Sequence, residues 1–375
     1  MRRYKTYING EWFEGTSGIV LRSVDPSNNK ELGEIVQNSK EDVEYAIESA
    51  SRSFYKTREW RDLDVQQRND KLLKIADMIE SEIDEIAKTE SMDNGKPLRE
   101  AQADVDDAVH CFRYYAGLIR TPSGQTYNVN SNFGNMHSYT VKEPVGVCAL
   151  ITPWNFPFLM SVWKIAPALA AGNSIIFKPS SETVLSALKL FEILDKCDLP
   201  KGTANLVIGS GSTVGNLLAE SKKVDMITFT GSTSVGQGIM RAAAGNVKKI
   251  GLELGGKSPN IVFADTDIDK TVEWVMMGIF LNQGEVCCAG SRLIIEKSIK
   301  DKFLKKLVER TDKLTLGAPL DNPDMGPLIS KKHMQDVLGY IEKGKAEGAK
   351  LLCGGYKCTD DDLVNGNFIK PAIFD

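Results

Sequence analysis

Histidine is scarce in this sequence, with only three among 375 residues. They stand at His110, His137 and His333, and none lies at metal-ligand spacing from another histidine or from a cysteine pair. Tetrahedral zinc sites in proteins are built from such clusters. The sequence therefore predicts no metal site.

Long hydrophobic runs and an excess of one charge are also absent. No apolar segment approaches the roughly 20 residues that a membrane span needs, and Met1-Arg2-Arg3 leads into polar sequence instead of the apolar core of a signal peptide. The 46 basic and 50 acidic residues nearly balance, which favours neither nucleic acid nor an anionic membrane as a partner. Seven thinly spread cysteines, an odd number, indicate a reducing compartment. We predict a cytoplasmic protein.

Alternating helix and strand patterns make up most of the chain. Ser39 and Asp42 form a capping-box pattern before one predicted helix, and a longer helix is predicted from about Asp64 to about Asp93. A polar, alternating stretch over 126–145 predicts an exposed β-hairpin. Short apolar runs then alternate with helices, which is typical of a parallel sheet covered on both faces. The predicted strands are Val145–Ile151, Ser174–Lys178, Ala204–Ile208, Asp225–Phe229 and Pro259–Phe263, and the predicted helices include Ser161–Ala171 and Glu182–Leu194.

Two glycine-rich turns follow predicted strands. The first, Gly209–Gly215, has the spacing G-x-G-x-x-x-G, one residue longer than the dinucleotide fingerprint. The second, Phe229–Gly236, brings glycine and three hydroxyl groups to a helix start, where backbone N–H groups can bind a phosphate. A tight turn explains the first motif equally well, and a Ser/Thr N-cap is the alternative for the second. Two such turns on one sheet favour a phosphate-bearing ligand.

Three further segments carry groups that suit catalysis. Cys287 and Cys288 lie in a loop of small residues, where nearby N–H groups lower the pKa of a thiol, although adjacent cysteines are also common as small core residues. Glu253 stands between two leucines, surroundings that raise the pKa of a carboxyl group and suit proton exchange, and a salt bridge to Lys257 is the alternative. Asn155 lies between a strand and a helix, where its amide either donates to an oxyanion or simply forms a turn.

In this order the segments resemble the aldehyde dehydrogenase superfamily, and the resemblance runs from Tyr7 to Phe374. It rests on several long motifs, which are more specific than any glycine pattern alone. The motifs are Asn94–Pro97, Pro153–Pro157, Phe229–Gly236, Leu252–Pro259, Asn282–Arg292 and Met325–Ser330. The resemblance implies an α/β fold with a Rossmann-like parallel-sheet cofactor domain (1–125 and 146–255). It further implies an α/β catalytic domain present in part (256–375) and a protruding β-hairpin (126–145) for oligomerisation.

The resemblance also implies roles for individual residues. Cys287 matches the family nucleophile, Glu253 the general base, and Asn155 the oxyanion donor that acts with the backbone N–H of Cys287. Cys288 is then a packing or redox-sensitive neighbour. Cofactor contacts are implied for Ile151, Thr152, Pro153, Trp154, Lys178, Ser181, Gly211, Gly231, Ser232 and Leu254. Substrate-tunnel positions are implied for Phe156, Met160 and Trp163.

The implied reaction is oxidation of a small aldehyde to the carboxylic acid, with NAD or NADP as cofactor. It passes through a thiohemiacetal and a thioester on Cys287, and the presence of Glu253 favours water over coenzyme A as the acyl acceptor. Ser181 replaces a glutamate that many NAD-preferring members carry, which leaves NADP open. Phe156 and Trp163 either hold a quaternary ammonium, as in a betaine or amino aldehyde, or form a plain apolar sleeve.

Family members normally continue with a Glu-x-Phe-Gly-Pro segment, the rest of the catalytic domain and a strand of the inter-subunit sheet. By this resemblance we expect a truncated fragment, a frameshifted product or an incomplete sequence. Weak cofactor binding, slow turnover and an impaired family-type homodimer or homotetramer would follow. Two alternatives therefore stay open, a catalytically impaired dinucleotide-binding protein and a cofactor-independent esterase that uses the same thiol.

Overall fold

The computed structural model describes residues 2–121, 123–360 and 362–375. The α-helices are α1 Lys40–Arg52, α2 Val65–Ser81, α3 Ile83–Asn94, α4 Leu98–Leu118, α5 Pro157–Ala170, α6 Leu185–Lys196, α7 Asn216–Glu220, α8 Thr233–Ala243, α9 Ile268–Phe280, α10 Lys300–Thr311 and α11 Lys331–Ala346. The strands are β1 Arg3–Tyr4, β2 Thr6–Ile8, β3 Glu11–Phe13, β4 Val20–Asp25, β5 Lys30–Val36, β6 Thr126–Ser131, β7 Gly134–Tyr139, β8 Val147–Ile151, β9 Ser174–Lys178, β10 Ala204–Leu206, β11 Met226–Gly231, β12 Lys249–Leu254, β13 Pro259–Val262, β14 Arg292–Ile295, β15 Leu351–Cys353 and β16 Ile373–Phe374.

A seven-stranded sheet in the order β12-β11-β8-β9-β10-β2-β3 forms the centre of the fold. Its first five strands are parallel, and β2 and β3 add an antiparallel edge. Every residue of β8 and β9 is buried, because helices cover both faces of the sheet, as parallel sheets require. The predicted doubly covered parallel sheet is therefore confirmed.

Successive residues of β8 point into two separate hydrophobic cores. Cys148 and Leu150 pack in a core with α2, α4, α5 and α6. Val147, Ala149 and Ile151 pack in the other, with α1, α7 and α8. This alternation follows from the two-residue repeat of a strand, and it holds the carboxyl end of the sheet rigidly between two layers of helices.

The segment over 126–145 forms the predicted hairpin. β6 and β7 pair in antiparallel register around the turn that contains Phe133, and nearly all of their residues are exposed. Phe133 itself is 96% exposed. An exposed β-ribbon of this kind offers unpaired edges to another chain.

The last third of the chain contains a smaller α/β unit. β13 and β14 form a parallel pair, and a third hydrophobic core lies between this pair and the helices α9 and α10. β15 and β16 pair in antiparallel fashion, beside a small apolar cluster on α11.

Two predictions about secondary structure are wrong. The single helix from about Asp64 to about Asp93 is two helices, because Glu82 leaves the helical conformation at φ −112° and ψ 15° and lets both α2 and α3 pack on α4. The strand beginning at Pro259 belongs to the smaller sheet and does not extend the central one. The strand that extends the central sheet beyond β11 is instead β12, which we did not predict although Ile250, Leu252 and Leu254 alternate with other residues.

Smaller features agree with the sequence. Ser39 and Asp42 form the predicted capping box at the start of α1. Gly95 ends α3 with φ +99°, a conformation that favours glycine. Within the part of the chain that the structure describes, no helix is both long and apolar enough to cross a membrane.

Candidate active site

The segment between β8 and α5 carries Asn155 and lies at the carboxyl end of the central sheet. Asn155 is half-buried, and its side-chain amide donates a hydrogen bond of 2.7 Å to the carbonyl oxygen of Glu285. Its own carbonyl oxygen accepts a 2.7 Å hydrogen bond from the side chain of Asn282. These two contacts join the segment before α5 to the loop that precedes Cys287, so Asn155 and Cys287 are brought to the same site.

The loop before Cys287 has a strained backbone. Asn282 and Gln283 adopt positive φ angles of 47° and 57°, which cost roughly 1–2 kcal/mol per residue other than glycine. Gly284 continues the turn at φ +79°. The half-buried carboxylate of Glu100 accepts the backbone N–H of Asn282 over 2.9 Å and thereby stabilises the turn.

Cys287 lies in the exposed loop that follows this turn, and its neighbour Cys288 is exposed as well. The backbone N–H groups of both residues act to lower the pKa of the Cys287 thiol, as predicted. Partial desolvation of the sulfur and the adjacent Cys288 outweigh them, so the pKa is raised overall. The prediction of a lowered thiol pKa is therefore wrong for this form of the protein, and the thiol is mostly protonated at neutral pH.

Glu253 is carried by the edge strand β12, where it lies opposite Thr230 of β11. Leu252 and Leu254 pack against the core on the other face of the strand, and Glu253 is exposed. The apolar surroundings expected for Glu253 are therefore wrong, because alternate strand residues point in opposite directions. Among the described residues Glu253 forms no ion pair, with Lys257 or any other base.

Two contacts lie in the segments next to Glu253, although neither involves its side chain. The backbone N–H of Gly256, three residues further on, donates a 3.1 Å hydrogen bond to the carbonyl oxygen of Cys287. On the sheet side, the buried ammonium of Lys164 donates to the hydroxyl of Thr228 over 2.9 Å. Burial lowers the pKa of Lys164 to about 8, and the negative charge of Glu253 partly opposes this shift.

The residues expected to bind the cofactor lie at neighbouring strand ends. Lys178 ends β9, and its carbonyl oxygen accepts the N–H of Thr152 over 3.1 Å. Ser232 caps α8 after β11, so the N-cap interpretation of that motif also holds. Gly211 begins a helical turn that leads into α7, and a Cβ atom at Gly211 would meet open space. Ile151, Pro153, Trp154, Gly231 and Leu254 stand at the ends of β8, β11 and β12 or directly after them.

Several polar groups at or near these strand ends can form further hydrogen bonds. The Lys178 ammonium makes one hydrogen bond, of 2.9 Å, to the carbonyl oxygen of Pro179, and burial lowers its pKa to about 8. The hydroxyl groups of Thr152 and Thr230 are buried without a partner among the described residues. The hydroxyl of Ser181 donates to the carbonyl of Gly209 over 2.9 Å. A ligand rich in hydroxyl and phosphate oxygens suits this set of donors.

The expected tunnel residues do not share one cavity. Phe156 borders a groove of about 630 Å³ between α4 and α9, and the buried ammonium of Lys96 lies 4.2 Å from the centre of its ring. Trp163 is 54% exposed and borders a separate groove of about 520 Å³ beside α4. Met160 is half-buried between them.

Sequence reasoning missed three buried ionisable groups near the site. Lys96 is fully buried between Glu90 and Asp104, at 3.5 and 2.5 Å. Lys164 of α5 is buried within the influence of the Glu253 charge, and Glu285 is buried two residues before Cys287. For Lys164 the signal was a charged residue within the apolar helix α5. Lys96 and Glu285 lie outside helices and strands, where no periodic pattern marks a buried position. No group of three or more potential metal ligands occurs among residues 2–121, 123–360 and 362–375.

Comparison with known proteins identifies the family. The model of the aldehyde dehydrogenase family matches residues 12–375. Betaine aldehyde dehydrogenase of Bacillus subtilis (strain 168) is 46% identical over 369 residues, covering 98% of this chain and 75% of that protein. Mitochondrial aldehyde dehydrogenase of Homo sapiens is 40% identical over 372 residues, covering 98% and 70%.

Solved structures agree with this assignment. A crystal structure of betaine aldehyde dehydrogenase from Staphylococcus aureus in complex with NAD+ has a TM-score of 0.95 at 41% identity, covering 99% of this chain and 73% of that one. These relatives do not favour a cofactor-free esterase or a purely dinucleotide-binding protein. This chain therefore belongs to the aldehyde dehydrogenase family and is an NAD(P)-dependent aldehyde-oxidising enzyme, as the sequence predicted.

Proposed function

We propose that Cys287 is the nucleophile of the aldehyde oxidation. Its thiolate attacks the aldehyde carbon, and the side-chain amide of Asn155 and the backbone N–H of Cys287 stabilise the resulting oxyanion. Loss of hydride from this thiohemiacetal leaves a thioester on Cys287. Glu253 then takes a proton from water, whose oxygen attacks the thioester and releases the acid and the thiol. The observation that carries the proposal is the exposed Cys287 on a loop whose backbone is hydrogen-bonded to Asn155, at Glu285, and to Gly256 beyond β12, at Cys287.

NAD is the proposed cofactor, with NADP as a possible substitute. It supplies the nicotinamide ring that accepts the hydride. The unused N–H groups of Lys178 suit ribose hydroxyls, and the N-terminus of α8 at Ser232 suits the pyrophosphate. Gly211, Gly231, Ser181, Ile151, Thr152, Pro153, Trp154 and Leu254 line the rest of the proposed cleft. The NAD+ complex of the Staphylococcus aureus relative supports NAD as the cofactor.

We infer that the substrate is an aldehyde with a cationic amine or a quaternary ammonium. The exposed ring of Trp163 borders its groove together with Tyr114, Tyr115, His110 and Asp107. Aromatic faces beside a carboxylate attract a bulky cation. Phe156 contributes differently, because the ammonium of Lys96 already covers its ring. The betaine aldehyde dehydrogenase relatives support this substrate class, and Met160 would contact the aliphatic part of the substrate.

Assembly, domain organisation and location are proposed from the same resemblance. The exposed hairpin over 126–145 is the proposed contact in a homodimer or homotetramer, since its strand edges are free. The proposed domains are the cofactor domain, 1–125 and 146–255, and the catalytic domain, 256–375. The proposed location is the cytoplasm.

A matched pair of substrates tests the proposal. Betaine aldehyde and 3,3-dimethylbutanal have the same shape, but only the former carries a positive charge. We expect kcat/KM with NAD to favour betaine aldehyde by about tenfold or more, and Trp163→Ala to reduce this ratio through loss of the cation–π contact. Equal values for the two aldehydes would contradict the cationic substrate. Ester hydrolysis without NAD but no NADH formation would contradict the oxidation mechanism itself.

A further inference from the structure

Glu285 connects three parts of the site from a buried position. Its carbonyl oxygen accepts the side-chain amide of Asn155 over 2.7 Å. Its side chain is only 1% exposed, and Oε1 accepts the backbone N–H of Ile329 over 3.1 Å. The same oxygen lies 3.5 Å from Nε2 of His333. A residue two positions before Cys287 is thus tied both to Asn155 and to the start of α11.

His333 contacts both Glu285 and Trp154. It lies in the first turn of α11, where its N–H donates to the hydroxyl of Ser330 over 3.2 Å, and its side chain is 34% exposed. Its imidazole ring lies 5.1 Å from the ring of Trp154, at 60°. Trp154 directly precedes Asn155 in the chain. His333 therefore contacts the first residue of this dipeptide, and Glu285 contacts the second.

The surroundings of the pair determine how many protons it holds. Burial raises the pKa of Glu285 to about 8, while the N–H of Ile329 and the charge of Lys96 oppose this shift. Burial also lowers the pKa of His333, with Lys332 acting in the same direction and Asp336 against it. Oε2 of Glu285 has no partner in the described part of the chain. At neutral pH the pair of carboxyl group and imidazole therefore holds one dissociable proton, in addition to the permanent N–H of the imidazole.

We propose that Glu285 and His333 form a positioning pair, in which one shared proton keeps the loop of Cys287 docked against Trp154 and Asn155. Loss of that proton to solvent at alkaline pH leaves a buried carboxylate beside a neutral imidazole, and this weakens the docking. The half-open position of His333 gives the proton a route to water. The inference rests on the roles proposed above for Asn155 and Cys287.

The pair can be tested on the full chain without aldehyde or cofactor. The fluorescence of Trp154 is obtained as the difference between the wild type and Trp154→Phe over a pH titration. Iodoacetamide labelling of Cys287, followed by peptide mass spectrometry, reports on the thiol loop over the same range. We expect the fluorescence of the wild type to show a step with a midpoint near pH 8. Labelling also rises with ionisation of the Cys287 thiol itself, so its rate is divided by the rate in Glu285→Gln at each pH, and this ratio should show the same step.

Three variants assign the step to the pair. Glu285→Gln keeps the acceptor for Ile329 but cannot ionise, so the step should disappear. His333→Gln should move the midpoint by at least one pH unit, and His137→Gln, a change in the exposed hairpin, should leave it in place. His333 is partly exposed, so its variant keeps the test valid if Glu285→Gln does not fold.

Each outcome either supports or refutes the proposed pair of Glu285 and His333. Absence of the step in the wild type, its persistence in Glu285→Gln, or an unmoved midpoint in His333→Gln would overturn the pair. Aldehyde oxidation is measured separately on the wild type and on Cys287→Ala. If Cys287→Ala abolishes oxidation while the step fails its test, only the pair is refuted and the proposed function stands.

Discussion

The backbone N–H of Gly256 donates a 3.1 Å hydrogen bond to the carbonyl oxygen of Cys287. This contact joins the end of the strand that carries Glu253 to the loop that carries the thiol, although 31 positions separate Gly256 from Cys287 in the sequence. A Cβ atom at position 256 would lie 3.5 Å from that carbonyl oxygen, ordinary van der Waals contact. The contact between the segment after β12 and the thiol loop is therefore built from the backbone, and substitutions of Glu253 or Cys287 should leave it in place.

Cys287→Ala should abolish aldehyde oxidation, with a loss of at least ~10³-fold in kcat, because the nucleophile has no substitute. Cys288→Ala is the matched control, since the two thiols are adjacent and both exposed. It should remain within a factor of about three of the wild type. NADH formation with a small aldehyde measures both variants. Equal losses in the two would show that the thiols act as a unit.

Asn155→Ala should lower kcat by about 10²–10³-fold, the usual effect of removing one oxyanion donor. KM should change little, because the ground-state aldehyde carries no full negative charge. Asn246→Ala, an amide at the far end of the sheet, serves as the control. An effect confined to KM would mean that Asn155 binds substrate instead of stabilising the oxyanion.

Glu253→Gln should separate the two halves of the reaction. At alkaline pH the thiol ionises without a base, so a rapid burst of NADH should still form while thioester hydrolysis becomes slow. Hydroxylamine cleaves thioesters but also reacts with aldehydes, so it is added after the burst, once free aldehyde has been removed. It should then release the acyl group and free the thiol for a second burst. Loss of the burst itself would indicate that Glu253 acts before the thioester forms.

Lys178→Met should stabilise the protein near pH 7 while weakening NAD binding. The pKa of Lys178 falls from 10.5 to about 8 in the folded state, so burying its charge costs roughly 3 kcal/mol below pH 8. The unfolded chain holds the proton up to higher pH, and the cost therefore disappears as pH rises from about 8 to 10.5. Urea unfolding at several pH values should show the advantage of methionine shrinking across that range. A constant difference would contradict it.

Lys96→Met should destabilise the fold by about 3–5 kcal/mol, because it leaves Glu90 and Asp104 buried without their cation. The three side chains are almost entirely inaccessible to solvent. Lys345→Met, which removes an exposed pair with Glu342 at 2.7 Å, should cost less than about 1 kcal/mol. Urea unfolding compares the two, and equal costs would contradict the assignment of a buried charge cluster.

Local sequence patterns predicted much of the framework. The run Ser174–Lys178 matches β9 without any error in its bounds, and Ser39 with Asp42 marks the start of α1. These succeed because capping and buried strands depend on neighbouring residues. The long helix over Asp64–Asp93 failed because its break at Glu82 serves packing on α4, a contact that its own periodicity does not reveal.

The predictions about functional residues also succeeded where they depended on local sequence and failed where they depended on distant segments. The motifs around Asn155, Glu253 and Cys287 are contiguous stretches of chain, so the sequence by itself determined the family and predicted the roles that we propose for the thiol, the acid and the amide. Only the tertiary structure decided their surroundings. Glu253 is exposed on an edge strand, Phe156 lies under Lys96, and Glu285 is buried against His333. Burial, ion pairing and the pKa of a group depend on segments that are distant in the chain but close in space. The spacing of residues along the sequence does not reveal which of these segments come together.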